Sequence, residues 1–248
     1  MNWDRVTERI ESFIINFVNS SQSEGVVIGL SGGVDSSTVA YLCVKALGNE
    51  RVFGLIMPER GVTPEEDVRD AIEIAEKLGI KYKIIEINEI LNAFLESADG
   101  ERKGLALANL KPRIRMILNY YHANSMNRVV AGTGNKSELM IGYFTKYGDG
   151  GVDFLPIGDL YKTEVFRLAS YIGVPERIVK KKPSAGLWRG QTDEGELGIT
   201  YQELDEILKA IEKGEKREDE KFVKVLELVE RTKHKRETPP VAKVRDLL

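Results

Sequence analysis

The stretch Val26-Val27-Ile28-Gly29-Leu30-Ser31-Gly32-Gly33-Val34-Asp35-Ser36-Ser37 constrains this chain more than any other. A short, β-branched apolar run stops in a glycine and serine turn and continues as Thr38-Val39-Ala40-Tyr41-Leu42. A run that is apolar on both faces predicts a central strand of a parallel sheet covered on both sides, followed by a turn and a helix. Gly32 and Gly33 supply a turn that a Cβ would resist. Backbone N–H groups in such a turn, backed by the positive end of the helix, make a site for phosphate. Ser31, Ser36 and Ser37 add hydroxyls. Asp35 lies in the same nest, where an acid repels phosphate unless a cation stands between them, and so points to Mg²⁺. An isolated glycine pair would be an ordinary turn with Asp35 favoured by the helix dipole. The full Ser-Gly-Gly-x-Asp-Ser string at a strand-helix junction is far more specific. It is neither a Walker A loop nor the Gly-x-Gly-x-x-Gly of a dinucleotide-binding unit.

The remainder of the chain repeats the alternation of strand and helix, which implies parallel, right-handed crossovers. Residues 4–18 place Ile10, Phe13, Ile14, Phe17 and Val18 on one helical face. Strands are predicted over 52–57, 82–87 and 128–131, and helices over 36–47, 162–172, from 201 towards 213, and over 222–229. Thr63-Pro64-Glu65-Glu66 and Thr200-Tyr201-Gln202-Glu203 read as capping boxes. Between residues 88 and 104 the pattern weakens, and Ser97-Ala98-Asp99-Gly100-Glu101 reads as an exposed loop. Pro112 is placed to open or kink a helix, and if it is the first helical residue Arg113 and Arg115 lie in the opening turn. Residues 180–195 have no period and read as a lid, and Lys180-Lys181-Lys182 as a solvated charge run. The predicted fold is α/β, a doubly wound and mostly parallel sheet with helices on both faces, Rossmann-like, and a C-terminal helical extension.

Composition narrows the classes. A length of 248 residues fits one domain, on a prior of roughly 100–200 residues each. No stretch is long or apolar enough to span a membrane, and the amino-terminal residues begin an amphipathic helix rather than a signal peptide. Cys43 is the only cysteine, which excludes an internal disulfide and suits the cytoplasm. A net charge of −3 leaves no global basic field for nucleic acid.

In an open α/β sheet, ligands sit beyond the carboxyl ends of the strands. Gly132-Thr133-Gly134-Asn135-Lys136-Ser137-Glu138, which follows the fourth strand, should therefore lie beside the 31–37 loop, where Glu138 can meet Asp35 across a metal. The segment 144–153 is polar, glycine-rich and aromatic, suited to covering a ligand.

The loop over 29–36 resembles that of the N-type ATP pyrophosphatases, which split ATP into AMP and pyrophosphate. With blocks at 109–116, 132–153 and 183–201 in the matching order, the chain resembles an ammonia-dependent NAD synthetase from its first helix to its final basic segment. The resemblance implies a single synthetase domain over 1–248 without a glutaminase domain. It further implies ATP, deamido-NAD and ammonia as substrates, Mg²⁺ as cofactor, and a homodimer with the deamido-NAD site built across its two-fold interface. Carried over by residue, Gly29, Leu30, Ser31, Gly32, Gly33, Val34, Asp35 and Ser36 match the ATP-phosphate loop. Thr133, Lys162 and Ser184 match further ATP contacts, and Asp35 and Glu138 the magnesium ligands. Arg113, Lys146, Asp153, His234 and Lys235 match positions that hold deamido-NAD. Asp35 and Lys162 are the expected catalytic residues.

Chemistry agrees. A carboxylate is a poor electrophile, and adenylation turns its oxygen into a leaving group. Enzymes that adenylate another acceptor through the same loop, tRNA-modifying enzymes among them, or a module that binds ATP without turnover, are the competing functions. Against the first stand the missing basic surface and reactive cysteines, and against the second Glu138 and the lid.

Overall fold

Four parallel strands in the order β3-β2-β1-β4 form the sheet of the computed structural model, which describes residues 1–99 and 103–245. Helix α1 (Trp3–Ser20) precedes β1 (Gly25–Gly29), and α2 (Val34–Leu47) leads to β2 (Val52–Ile56). Then come α3 (Glu65–Leu78), β3 (Lys81–Ile84), α4 (Asn88–Ala98), α5 (Gly104–Ser125) and β4 (Arg128–Val130). Six short or medium helices complete the described chain: α6 (Lys136–Ile141), α7 (Lys162–Tyr171), α8 (Glu176–Val179), α9 (Asp193–Leu197), α10 (Tyr201–Glu212) and α11 (Glu220–Arg231). The expected α/β class, doubly wound and Rossmann-like, is what the structure shows.

Successive residues of a strand face opposite sides, and the two cores follow from that alternation. Val26, Ile28, Val52 and Ile56 turn to one face, where they meet Ile10, Ile14 and Val18 of α1 together with α2, α3, α7 and α8. Val27, Leu55 and Val130 turn to the other, against Leu91 and Leu95 of α4 and Ile114 and Ala123 of α5. A third cluster joins α6 to α10 and α11 through Ile141, Tyr201, Leu204, Leu208 and Phe222, with Tyr161 at its edge.

Three local expectations are corrected. Thr63 does not cap α3: its hydroxyl accepts from the Glu59 N–H at 2.9 Å, closing the preceding turn, and Pro64 takes the cap position instead. The weak pattern after residue 88 is a helix, α4, whose short apolar stripe is Leu91 and Leu95; Ser97 and Ala98 belong to it, Asp99 ends it, and Gly100 and Glu101 lie outside the described residues. Pro112 lies well inside α5, so Arg113 and Arg115 are in mid-helix rather than in an opening turn. A proline there cannot donate to the Ala108 carbonyl, and the helix carries that loss with Pro112 buried beside Gly148 and Ile114 buried in the core against the sheet. The box at Thr200 is present, with Glu203 N–H donating to the threonine hydroxyl.

The strand order reverses between β1 and β4: the chain leaves β1 towards β2 and β3, then returns to β4 on the other side. That is a topological switch point, where ligands bind in sheets of this kind.

Gly25 begins β1 with no room for a side chain, since a Cβ there would lie 2.0 Å from the Arg51 carbonyl oxygen. Gly25→Ala should therefore force β1 and β2 apart and cost about 3 kcal/mol. Urea unfolding of the two proteins measures it; a loss near zero would contradict this packing.

Candidate active site

The loop after β1 is shaped by its own hydroxyls. Ser31 N–H donates to Ser36 Oγ at 3.2 Å, and Gly33 N–H to Ser31 Oγ at 3.3 Å. Ser36 and Ser37 hydroxyls donate to the Gly33 carbonyl at 3.2 and 2.8 Å. Gly32 has φ of +75°, and a Cβ there would be 2.2 Å from the Asp67 carbonyl oxygen, so glycine is required twice over. Leu30 and Val34 are buried and anchor the loop, and Gly29 ends the strand. Gly33 caps α2 without a side chain, leaving the first-turn N–H groups of that helix available to an anion.

At that helix end stands a buried lysine. The Lys162 residue is 2% exposed, and its Nζ lies 2.5 Å from Asp35 Oδ2 and 3.1 Å from Glu138 Oε1. The ammonium thus touches both of the acids expected to act together. Burial works against its charge, but the carboxylates of Asp35 and Glu138 outweigh burial and hold the ammonium above its usual range. For Glu138, burial raises the carboxyl, Lys162 opposes it, and Asp35 adds to the rise. The Lys162 ammonium also lies 5.0 Å from the centre of the Tyr201 ring.

Each member is placed by a different element. Asn135 caps α6 in a capping box with Glu138, and its Nδ2 donates to Asp35 Oδ1 at 3.0 Å, so one side chain sets both acids. The first turn of α7, which carries Lys162, is held by α10. Asp205 is 1% exposed; it accepts from the Thr163 N–H at 2.9 Å and from the Ser137 hydroxyl, which itself accepts from the Lys162 N–H at 2.8 Å. Tyr201, also of α10, donates to Asp193 at 2.9 Å, and burial raises the Asp193 carboxyl. Asp193 Oδ1 is buried without a hydrogen-bond partner.

Of the other expected residues, Thr133 follows β4 on the same edge. Ser184 does not join the cluster: it is exposed, and its hydroxyl accepts from the Gly186 N–H at 3.1 Å. Arg113, Lys146 and His234 form a chain on the α5 side, Arg113 Nη2 donating to the Lys146 carbonyl at 3.4 Å and Lys146 Nζ to the His234 carbonyl at 2.6 Å. Asp153 accepts from the Val130 N–H at 2.7 Å and from the Tyr120 hydroxyl at 3.1 Å. Lys235 donates to the carbonyls of Gly142 and Phe144 at 2.7 and 2.8 Å, which ties the tail to the 144–153 loop.

Sequence reasoning passed over Asn135, Asp193, Tyr201 and Asp205. Asn135 had a readable signal, an Asn-x-x-Glu box opening a helix; Asp205 had none, since its partners are 42 and 68 residues away. Lys181 is likewise not a solvated charge; it pairs with Asp67 and Asp70, whereas Lys180 is exposed on Glu176.

A parallel sheet with a phosphate-type loop, a buried lysine and two acids at its switch point defines a nucleotide-binding α/β enzyme. The family model described as NAD synthase matches residues 6–239. The NH(3)-dependent NAD(+) synthetase of Archaeoglobus fulgidus is 74% identical over 248 residues, covering 100% of both chains. The solved structure of NMN synthetase from Francisella tularensis superposes with a TM-score of 0.90 at 37% identity, covering 98% of this chain and 99% of that one. That of the NH3-dependent NAD synthetase from Campylobacter jejuni subsp. jejuni, in complex with the nitrate ion, gives 0.85 at 37% identity, covering 98% and 100%. The chain belongs to the NAD synthase family, and is a ligase that forms a C–N bond.

Asp205→Ala would leave the Ser137 hydroxyl and the Thr163 N–H buried without an acceptor, at a cost of about 3 kcal/mol in all. Chemical denaturation should show that loss, with a comparable one for Ser137→Ala, which orphans the Lys162 N–H and one Asp205 oxygen; equal stability of Asp205→Ala and the parent chain would rule the network out as an anchor.

Proposed function

We propose that this enzyme amidates the nicotinate carboxylate of deamido-NAD with ammonia. A carboxylate oxygen attacks the α-phosphorus of ATP, the bond to the β-phosphate breaks, and pyrophosphate leaves. Ammonia then adds to the acyl carbon, AMP departs with the carboxylate oxygen, and a proton is lost, giving NAD. The observation that carries this reading is the buried Lys162 between Asp35 and Glu138, at the uncapped first turn of α2.

In this reading the residues 29–36 hold the ATP phosphates, with Thr133 and Ser184 as further contacts; Ser184 needs the 183–192 segment to move inwards. Lys162 neutralises charge that develops on the phosphates as pyrophosphate leaves. Arg113, Lys146, Asp153, His234 and Lys235 bind deamido-NAD. Two carboxylates, with an unpartnered buried Asp193 oxygen nearby, give a site one lysine does not neutralise, which suits Mg²⁺ completed by water and phosphate oxygens. Among the described residues no three His, Cys, Asp or Glu side chains form a ready metal cage, and such an ion does not need one. Asp35 and Glu138 would hold it, and it would supply charge neutralisation for the triphosphate.

Ammonia, rather than glutamine, fits the one cysteine. Cys43 is fully buried in α2 and burial pushes its thiol far up, the opposite of what a thioester-forming nucleophile requires. Localisation in the cytoplasm and a homodimer belong to the same proposal. No described helix is long and apolar enough to cross a membrane. The apolar face of α1 is no dimer surface, because Ile10, Ile14 and Val18 are covered by the sheet side. The face left open is that of α4, α5 and the edge strand, where Ile84, Ile90, Phe94, Ile117 and Tyr121 are exposed.

The Francisella tularensis likeness favours a second acceptor, the mononucleotide carboxylate that would give NMN by the same chemistry. The test supplies purified protein with ATP, Mg²⁺ and ammonium chloride, and either deamido-NAD or nicotinate mononucleotide. We expect NAD, AMP and pyrophosphate in equal amounts, with kcat/KM favouring the dinucleotide by about tenfold or more; the reverse preference would transfer the reading to the mononucleotide. Asp35→Asn and Glu138→Gln should each abolish pyrophosphate release and, by weakening a buried ion pair, lower the melting temperature while the protein stays folded at the assay temperature, and near-normal release from either would sink the assigned roles. Ammonia attacks only as neutral NH₃, since ammonium has no lone pair. At fixed total ammonium the rate should therefore climb above neutral pH, and ammonia-free glutamine should not replace it; equal rates from the two sources would refute ammonia as the donor.

A further inference from the structure

A glycine-glycine peptide is easily flipped, because neither flanking residue has a Cβ to resist the rotation. In the loop after β1 that freedom matters. The Gly32–Gly33 peptide is trans, so its carbonyl and its N–H point to opposite sides. A flip would exchange a donor for an acceptor in a loop read as an anion site. The N–H is held by Ser31 Oγ at 3.3 Å, a long contact for a single restraint.

The carbonyl has a clamp from outside the loop. Lys181 Nζ donates to the Gly32 carbonyl at 3.3 Å, to Asp67 Oδ1 at 2.8 Å and to Asp70 Oδ2. Asp70 is itself buried and receives a second cation, Arg177 Nε at 2.9 Å. Three acceptors around one ammonium match its three N–H donors, so the lysine is fixed in position rather than swinging in solvent. Its charge also offsets Asp67 and Asp70, which would otherwise set two acids close behind an anion site. Lys181 stands three residues before Ser184, at the root of the 183–192 segment, so the orientation of the loop and the seating of that segment are joined through one side chain.

We infer that Lys181 is a positioning residue for ATP: its ammonium fixes the Gly32–Gly33 peptide with the carbonyl turned to α3, so that the loop presents donors to the phosphates. This rests on the reading of residues 29–36 as the ATP-phosphate loop.

The experiment compares the parent enzyme with Lys181→Met, Lys181→Arg and, as a control, Lys180→Met, whose ammonium sits on the exposed Glu176. ATP and deamido-NAD are varied separately, and Mg²⁺-ATP binding is measured by calorimetry. Lys181→Met should raise the KM and the Kd for ATP about tenfold, as loss of a charge-assisted contact would. The KM for deamido-NAD should stay within about twofold. Lys181→Arg should recover only part of the affinity, leaving the ATP Kd about threefold above that of the parent, and Lys180→Met should change nothing. An ATP Kd unchanged in Lys181→Met, or an equal rise in both KM values, overturns the inference. If Lys181→Met is unfolded at the assay temperature, Lys181→Arg decides: its planar head cannot keep all three contacts, so a selective rise in ATP Kd of about threefold supports the clamp and an unchanged Kd rejects it. A parent enzyme that binds ATP without making NAD would defeat the proposed reaction and leave the binding ratio to judge Lys181.

Discussion

An ammonium taken almost wholly out of water has to be surrounded by charge of the opposite sign, and much of this molecule is arranged around that requirement at Lys162. Desolvation of such a group costs several kcal/mol before any partner is counted. Asp35 and Glu138 recover it through contacts at 2.5 and 3.1 Å, on elements that are adjacent only in the folded sheet. Their geometry in turn depends on Asn135, which caps one helix and holds the acid of another. The result is a cluster with more acid than base.

The C-terminal helices serve that cluster rather than decorating the domain. α10 packs on α6 through Ile141, Tyr201, Leu204 and Leu208, and this apolar contact delivers Asp205 to the start of α7 and Tyr201 to the lysine. A buried carboxylate with two donors is costly to leave half-satisfied, so the seating of α10 and the backbone position of Lys162 are set together.

On the other side of the sheet, the residues proposed for deamido-NAD are linked by backbone acceptors. Arg113, the 145–149 turn and the tail at His234 are strung together by two donations to carbonyls, and Lys235 pins the tail to Phe144. These cations therefore organise the loop as well as facing outward. On α4 and α5, Ile90, Phe94, Ile117 and Tyr121 are left exposed, so the helix that carries Arg113 also carries an open apolar surface.

What the sequence determined by itself was short in range. The strand, turn and helix at residues 25–47, the need for glycine in that turn, and the Thr200 box were legible because each depends on neighbours a few residues apart and on backbone geometry that only certain side chains allow. The same logic failed at Thr63 and Pro112, where a local signal competed with another partner: the Glu59 N–H took the threonine hydroxyl, and burial of Pro112 outweighed its missing N–H. Only the tertiary structure decided that Lys162 sits between acids 127 and 24 residues away, that Asp205 anchors it, and that Lys181 is a partner of the glycine turn rather than one of three solvated lysines. Those contacts cross from one layer or helix to another. Charge and polarity in a sequence say that such a group needs a partner when it is buried, but which group is buried, and beside what, is settled by how the apolar faces pack.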